Sequence, residues 1–124
     1  MADLVLFVNN LTSMANFYSG LLGCEIVTHT EQFAKVSSAS TDLLLHKIPA
    51  EFQEAVQKPP TVREDSVWKP VFEVASIESA RVIAPELGGH IKDASAEWEL
   101  DGVIHCDGHD PEGNVIQVRM TVQG

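Results

Sequence analysis

His105 and His109 stand four residues apart with Cys106 between them, and imidazole and thiolate are the ligand types that zinc prefers. Spacing argues against a shared ion. On an extended strand four residues span roughly 13 Å, so the two rings meet on one metal only if the chain bends sharply at the turn that begins with Asp110. Cys106 has no cationic motif beside it that would hold a thiolate, so it does not read as a nucleophile. His46 has the chemistry of a general base, or else caps a strand end ahead of Pro49. Trp68 and Trp98 can stack on a ligand or cover the ends of a sheet, and Trp68 stands next to Lys69, where a pocket rim would place it. No phosphate loop, Ser-His-Asp set, dinucleotide fingerprint or basic patch occurs. Gly88-Gly89 lacks the spacing of a phosphate cradle and closes a helix where a phosphate site would open one.

What must position these residues is a doubled unit. Shifted by 66 positions (Val5 to Val71), the segment from Val5 to Gly23 falls on Val71 to Gly89, with Val5/Val71, Val8/Val74, Ser13/Ser79, Leu21/Leu87 and Gly23/Gly89 identical. So long a period implies two copies of one supersecondary unit, and two such copies can enclose a cavity. In the first copy Leu4, Leu6 and Val8 alternate as on a strand. Asn10 is a helix N-cap, Leu11, Met14, Ala15, Tyr18, Leu21 and Leu22 form a helical stripe, and Gly23 is the left-handed stop. Strands follow over Glu25–His29, Phe33–Ser37 and Thr41–Ile48, with a turn at Ser38-Ala39-Ser40, so the half reads βαβββ. The second half repeats the order. Val71–Val74 is a strand and Ser76 a cap, and the helix through Ile77, Ala80, Ala84 and Leu87 should kink or end early at Pro85. Strands then follow over His90–Ala94, Glu97–Leu100 with Val103–Asp107, and Val115–Val122. The fold class is therefore α+β, one domain over 1–124, with halves at about 1–48 and 67–124. The linker 49–66 carries one helical turn near Glu51–Val56 and is long enough to act as a lid.

Composition narrows the partners. With 124 residues, 44% apolar, the chain can bury a single core. Eighteen acidic against eight basic side chains give a net charge of −10, which repels nucleic acid and anionic lipid. No apolar run is long enough to span a membrane, and the first residues lack the basic start of a signal peptide. Cys24 and Cys106 form no framework, so free thiols in a reducing cytoplasm are expected.

The segment Asn16-Phe17-Tyr18-Ser19-Gly20-Leu21-Leu22-Gly23 after a strand, and Asp110-Pro111-Glu112-Gly113-Asn114 before the last one, complete a likeness. Together with the doubled βαβββ pattern, the sequence resembles the vicinal-oxygen-chelate superfamily of glyoxalase I, fosfomycin-resistance enzymes, extradiol dioxygenases and bleomycin-resistance proteins. The resemblance implies curved mixed sheets around a central small-molecule site, frequent homodimers, and a divalent metal held by four side chains, one from the first and one from the last strand of each half. Counting five residues back from Val8 and Val74, seven on from Asp110, and aligning the last strands places those positions at Asp3, Lys69, Gln117 and Leu44. Leucine cannot ligate and a protonated lysine repels a cation, so the metal site reads as lost and no cofactor is expected. Extending by twos along these strands adds Phe7, His46, Glu73 and Arg119 to the pocket face, together with Val5 and Val71. Asp3 and Lys69 either pair across the vacant position or hold a ligand.

The leading functional expectation is a dimeric protein that binds a small organic molecule without metal. One alternative is a metal-dependent lyase, isomerase or dioxygenase in which His46 joins Asp3 and Gln117. Another is a metal-free enzyme using His46 or Glu73 for proton transfer beside a carbonyl held by Lys69 or Arg119.

Overall fold

The structure is a computed structural model that describes residues 2–39 and 41–122. Strand β1 (Ala2–Val8) leads through Asn9 and Asn10 into helix α1 (Leu11–Leu22), followed by β2 (Ile26–His29), β3 (Phe33–Ser37) and β4 (Thr41–Lys47). The second unit runs β5 (Val71–Glu73), α2 (Ile77–Glu86), β6 (His90–Ile91), β7 (Trp98–Leu100), β8 (Val103–His109) and β9 (Val115–Thr121). The turn expected at Ser38-Ala39-Ser40 lies partly outside the described residues, but Ser38 N–H reaches the Thr41 carbonyl at 2.9 Å and closes the β3–β4 connection.

The local signals behave as their chemistry requires. The Asn10 side chain accepts from Ser13 N–H at 3.0 Å, and Gly23 ends α1 with φ 63°, a left-handed conformation that glycine adopts without strain. Ser76 accepts from Ser79 N–H at 3.1 Å at the start of α2. Pro85 falls in the last turn of α2, which stops at Glu86, two residues short of the length of α1. The strand expected over His90–Ala94 is broken. It pairs only at His90–Ile91, a short 3-10 turn at Ala94–Ala96 follows, and pairing resumes at Trp98. Asp93 causes the break by accepting from Ser95 N–H at 2.9 Å, an Asx turn that competes with the ladder. Asp101 and Gly102, both at positive φ, then make the tight β7–β8 hairpin.

Sheet order is β1-β4-β3-β2 in the first unit and β5-β9-β8-β6 in the second, with β7 also on β8. The two units therefore share one topology, with β6 and β7 together in the place of β2. Strand pairing also repeats in register. Val5 lies opposite Leu44 and Phe7 opposite His46, as Val71 lies opposite Gln117 and Glu73 opposite Arg119. Both helices pack on one face of their sheets and against each other. The core between helices and sheets holds Val8, Met14, Phe17, Tyr18, Leu45, Phe72, Ile77, Ile91, Ile116 and Val118, all buried. Among the described residues no helix is long and apolar enough to cross a membrane.

The linker is strapped down at several points. Glu54 N–H reaches the Asn9 side chain at 3.0 Å, Gln53 reaches the Ile48 carbonyl at 2.7 Å, and Arg63 N–H reaches the Gly113 carbonyl at 2.8 Å. Its short 3-10 turn covers only Ala50–Phe52. At Gly113, φ is 83° and an added Cβ would overlap the Thr61 carbonyl, so the linker crosses the Asp110 turn where only glycine fits.

Candidate functional site

Alternation along the strands sends one set of side chains into the core and the other away from both helices. In β1 and β4 the outward set is Asp3, Val5, Phe7, Leu44 and His46. In β5, β9 and β8 it is Val71, Glu73, Gln117, Arg119, His105 and Asp107, while Cys106 points inward and is buried. The curved sheets do not close over this face, and in the single chain its apolar members are open: Val5 is 57% exposed and Phe7 61%. The expected residues fall into two clusters, each assembled by its own parallel strand pair. Phe7 and His46 are cross-strand neighbours with rings 5.5 Å apart, and the Glu73 carboxylate lies 3.8 Å from Arg119 Nε.

Lys69 makes a different partnership from the one expected. Its ammonium is 2.7 Å from Asp107 Oδ2 rather than paired with Asp3. Asp107 sits opposite Gln117 on β8, and Gln117 N–H bonds to the carbonyl of Pro70, the residue after Lys69, so strand order brings Asp107 beside the lysine. Asp107 Oδ1 accepts from Gln117 Nε2 at 2.9 Å, and Gln117 Oε1 lies 2.9 Å from His105 Nδ1. Desolvation pushes the Asp107 carboxyl up, but the hydrogen bonds from Lys69 and Gln117 and the charges of Lys69 and Lys92 outweigh it and hold the group below the usual carboxylate range. The chain of bonds has one consistent polarity. An ionised Asp107 only accepts, so Gln117 turns its amide N–H toward it and its oxygen toward His105, and His105 must donate from Nδ1. In neutral His105 the lone pair then lies on Nε2. Trp98 stacks flat on the ring, with centroids 4.0 Å apart and planes 6° from parallel, which fixes the imidazole's orientation.

His105 and Asp107 were the residues that sequence reasoning missed as pocket members. Alternation along the first and last strands of each half does not reach β8, which lies beside β9 and presents the same face. The alternation of His105, Asp107 and His109 against Cys106 and Gly108 was the available signal.

The metal that the resemblance implies does not fit this donor set. Leu44 offers no lone pair, Lys69 is an ion-paired cation, and Gln117 has committed its amide to Asp107 and His105. Among the described residues, no group of three or more His, Cys, Asp or Glu side chains is placed to hold an ion. His105 and His109 do not converge. His105 turns to Gln117 and Trp98, whereas His109 sits beside His90. The Cys106 thiol is pushed up by burial, which Arg81 only partly offsets.

The two sequence motifs prove to be one structural joint. Tyr18 donates to the buried Asp110 carboxylate at 2.7 Å, and Asp110 also accepts from Glu112 N–H, Asn114 N–H and the Asn114 amide. The Glu112 carboxylate in turn accepts from Asn9 N–H and, at 2.7 Å, from Asn10 N–H, at the mouth of α1. The motif thus ties the last turn of the second unit to the first helix. Trp68 lines a small cleft of about 220 Å³ at the seam between units, together with Val5, Leu4, Tyr18, Phe72 and Ile116.

No protein-family model matches the sequence, and no curated protein sequence matches it either. Solved structures do. A glyoxalase/bleomycin resistance protein from Albidiferax ferrireducens superposes with TM-score 0.69 at 17% identity over 97% of both chains. A glyoxalase family protein from Bacillus cereus gives 0.73 at 11% identity, over 99% of this chain and 94% of that one. A fosfomycin resistance protein from Listeria monocytogenes gives 0.67 at 12%, over 98% and 93%. At such identities the likeness is one of architecture: the chain has the glyoxalase/bleomycin-resistance fold, two βαβββ units in tandem.

Proposed function

We propose that the outward face of the two sheets binds a small organic molecule directly, with the Lys69 ammonium supplying the positive charge that a metal supplies in metal-dependent proteins of this fold. The observation that carries this reading is the Lys69–Asp107–Gln117–His105 chain, which spans two of the four expected ligand positions with hydrogen bonds. The outward strand faces carry Val71 and Trp98 with Glu73 and Arg119 in the second unit, and Val5 and Phe7 with Asp3 and His46 in the first, as apolar and polar positions open to a ligand. Flat, partly polar ligands suit such a surface, because aromatic walls bind ring faces while ordered donors select edges. A ligand oxygen carrying negative charge would share Lys69 with Asp107. A thermal-shift screen of small aromatic and carbonyl compounds, run in chelator, tests the reading. Hits on the wild type should vanish in Lys69→Met, which keeps the stem and removes the charge. Hits that bind both proteins equally would reject it.

One observation favours a second reading, a metal-free acid–base enzyme. Of the three candidate bases, His105 has its tautomer set by a charged relay. Glu73 faces Arg119, and His46 is anchored only by the Lys47 carbonyl at 3.1 Å. His105 rather than His46 or Glu73 would then move the proton.

A further inference from the structure

His109 is left over from the site above, and it has acquired a partner that sequence spacing could not show. β6 pairs antiparallel with β8 so that His90 lies directly opposite His109, and the two rings are 5.8 Å apart, tilted by 37°. Two imidazoles on one ion, at nitrogen–metal distances of roughly 2.0–2.1 Å, place their centroids roughly 5–6 Å apart at angles between tetrahedral and trigonal. The observed ring separation falls within that range. The second requirement is a correctly placed lone pair. His109 Nδ1 is 3.0 Å from the Asp110 carbonyl, which can only accept, so Nδ1 carries the proton and neutral His109 presents a free Nε2. A ring N–H tied back to a backbone carbonyl is the support that metal-bound histidines ordinarily have. His90 is exposed and has no side-chain hydrogen bond among the described residues, so binding breaks no contact of its ring.

The surroundings admit a hydrated cation. His90 and His109 line a cleft of about 740 Å³ between the ends of α1 and α2 and the linker, with Glu86 and Glu112 on its walls and Lys58 as its one lysine. Asp93, whose carboxyl is held below the usual carboxylate range chiefly by hydrogen bonds from Ser95, follows β6 and lies near His90. Room remains for water in the other coordination positions.

We propose that His90 and His109 form a cross-strand two-histidine site for a borderline divalent transition ion, of the class of Ni²⁺, Cu²⁺ or Zn²⁺, separate from the Lys69 face. Imidazole ligands select these ions over Mg²⁺ and Ca²⁺. The test uses the whole chain, stripped with chelator and dialysed, and equilibrium dialysis against NiCl2 at neutral pH. Wild type should bind about one saturable equivalent with a rise in melting temperature, and His90→Ala and His109→Ala should each lose it, while His29→Ala keeps it. Circular dichroism of metal-free variants verifies that they fold. Because His109 contributes a backbone contact, a measurement on the unaltered protein stands beside the variants. Traces of Cu²⁺ should broaden the ring protons of His90 and His109 before those of His29, His46 and His105. Absence of saturable Ni²⁺ binding, binding that survives the double variant, or Cu²⁺ broadening centred on other histidines would each overturn the proposal.

Discussion

Lys69 belongs chemically to the second unit, and its consequences are read most directly at Asp107. The carboxyl's pKa is depressed, so its charged form stabilises the fold at pH values above the unfolded value of about 3.9, and that contribution disappears as pH falls through the lower folded value. The stability difference between wild type and Asp107→Asn, followed by urea denaturation, should therefore be constant near neutrality and shrink only below about pH 4. Both partners of the ion pair are partly exposed, at 43% and 30%, so Lys69→Met should cost no more than about 1 kcal/mol while raising the Asp107 pKa. Tyr18 is a larger matter. Tyr18→Phe leaves a fully buried carboxylate short of one donor and should cost about 1–3 kcal/mol by the same assay. The sequence could name the residues of the face but not all of their partners. Residue types at repeat positions put Asp3 and Lys69 on matching strands, and pairing followed from charge alone. Asp107 was closer because strand order places β8 beside β9, a fact about topology that no residue type encodes.

At the level of elements, helix entry is where the two units are welded. The Asn10 side chain caps α1, while Glu112 binds the amides of Asn9 and Asn10 from the other unit, adding a negative charge at the positive end of the helix. Asn10→Ala should cost about 1 kcal/mol. Glu112→Ala removes charge-assisted bonds to backbone amides and should cost about 1.5–3 kcal/mol, measured as a shift in the urea midpoint at unchanged slope. A change in slope would mean instead that the units had begun to unfold separately. Both helices, their caps and most strands were legible because caps and apolar periodicity are local. The strand over His90–Ala94 was not, because Asp93 and Ser95 form a side-chain turn that competes with pairing and leaves only two residues on the ladder. The role of Asp110-Pro111-Glu112-Gly113-Asn114 was also hidden. Its partners Tyr18, Asn9 and Asn10 lie about a hundred positions away.

For the whole molecule, the open face is the dominant fact. Val5, Phe7, Val71, Trp98 and Leu100 stand on strand faces turned away from the helices, and each is between 42% and 61% exposed. A second copy covering it would make a homodimer, and an interface of at least about 1,000 Å² in total is what such a pair needs to persist. Sedimentation at micromolar concentration should show dimer, with Phe7→Asp shifting it toward monomer. A wild type that sediments only as monomer would leave the face to ligand alone. On this reading the face holds its ligand through Lys69 and its hydrogen-bonded partners with no metal in the inherited position. Isothermal titration of a ligand identified by screening, with and without a strong chelator, tests this most directly. Affinity should be the same in both solutions and should be lost in Lys69→Met. Binding abolished by chelator, restored by a stoichiometric divalent ion and blocked again by Gln117→Ala would contradict it.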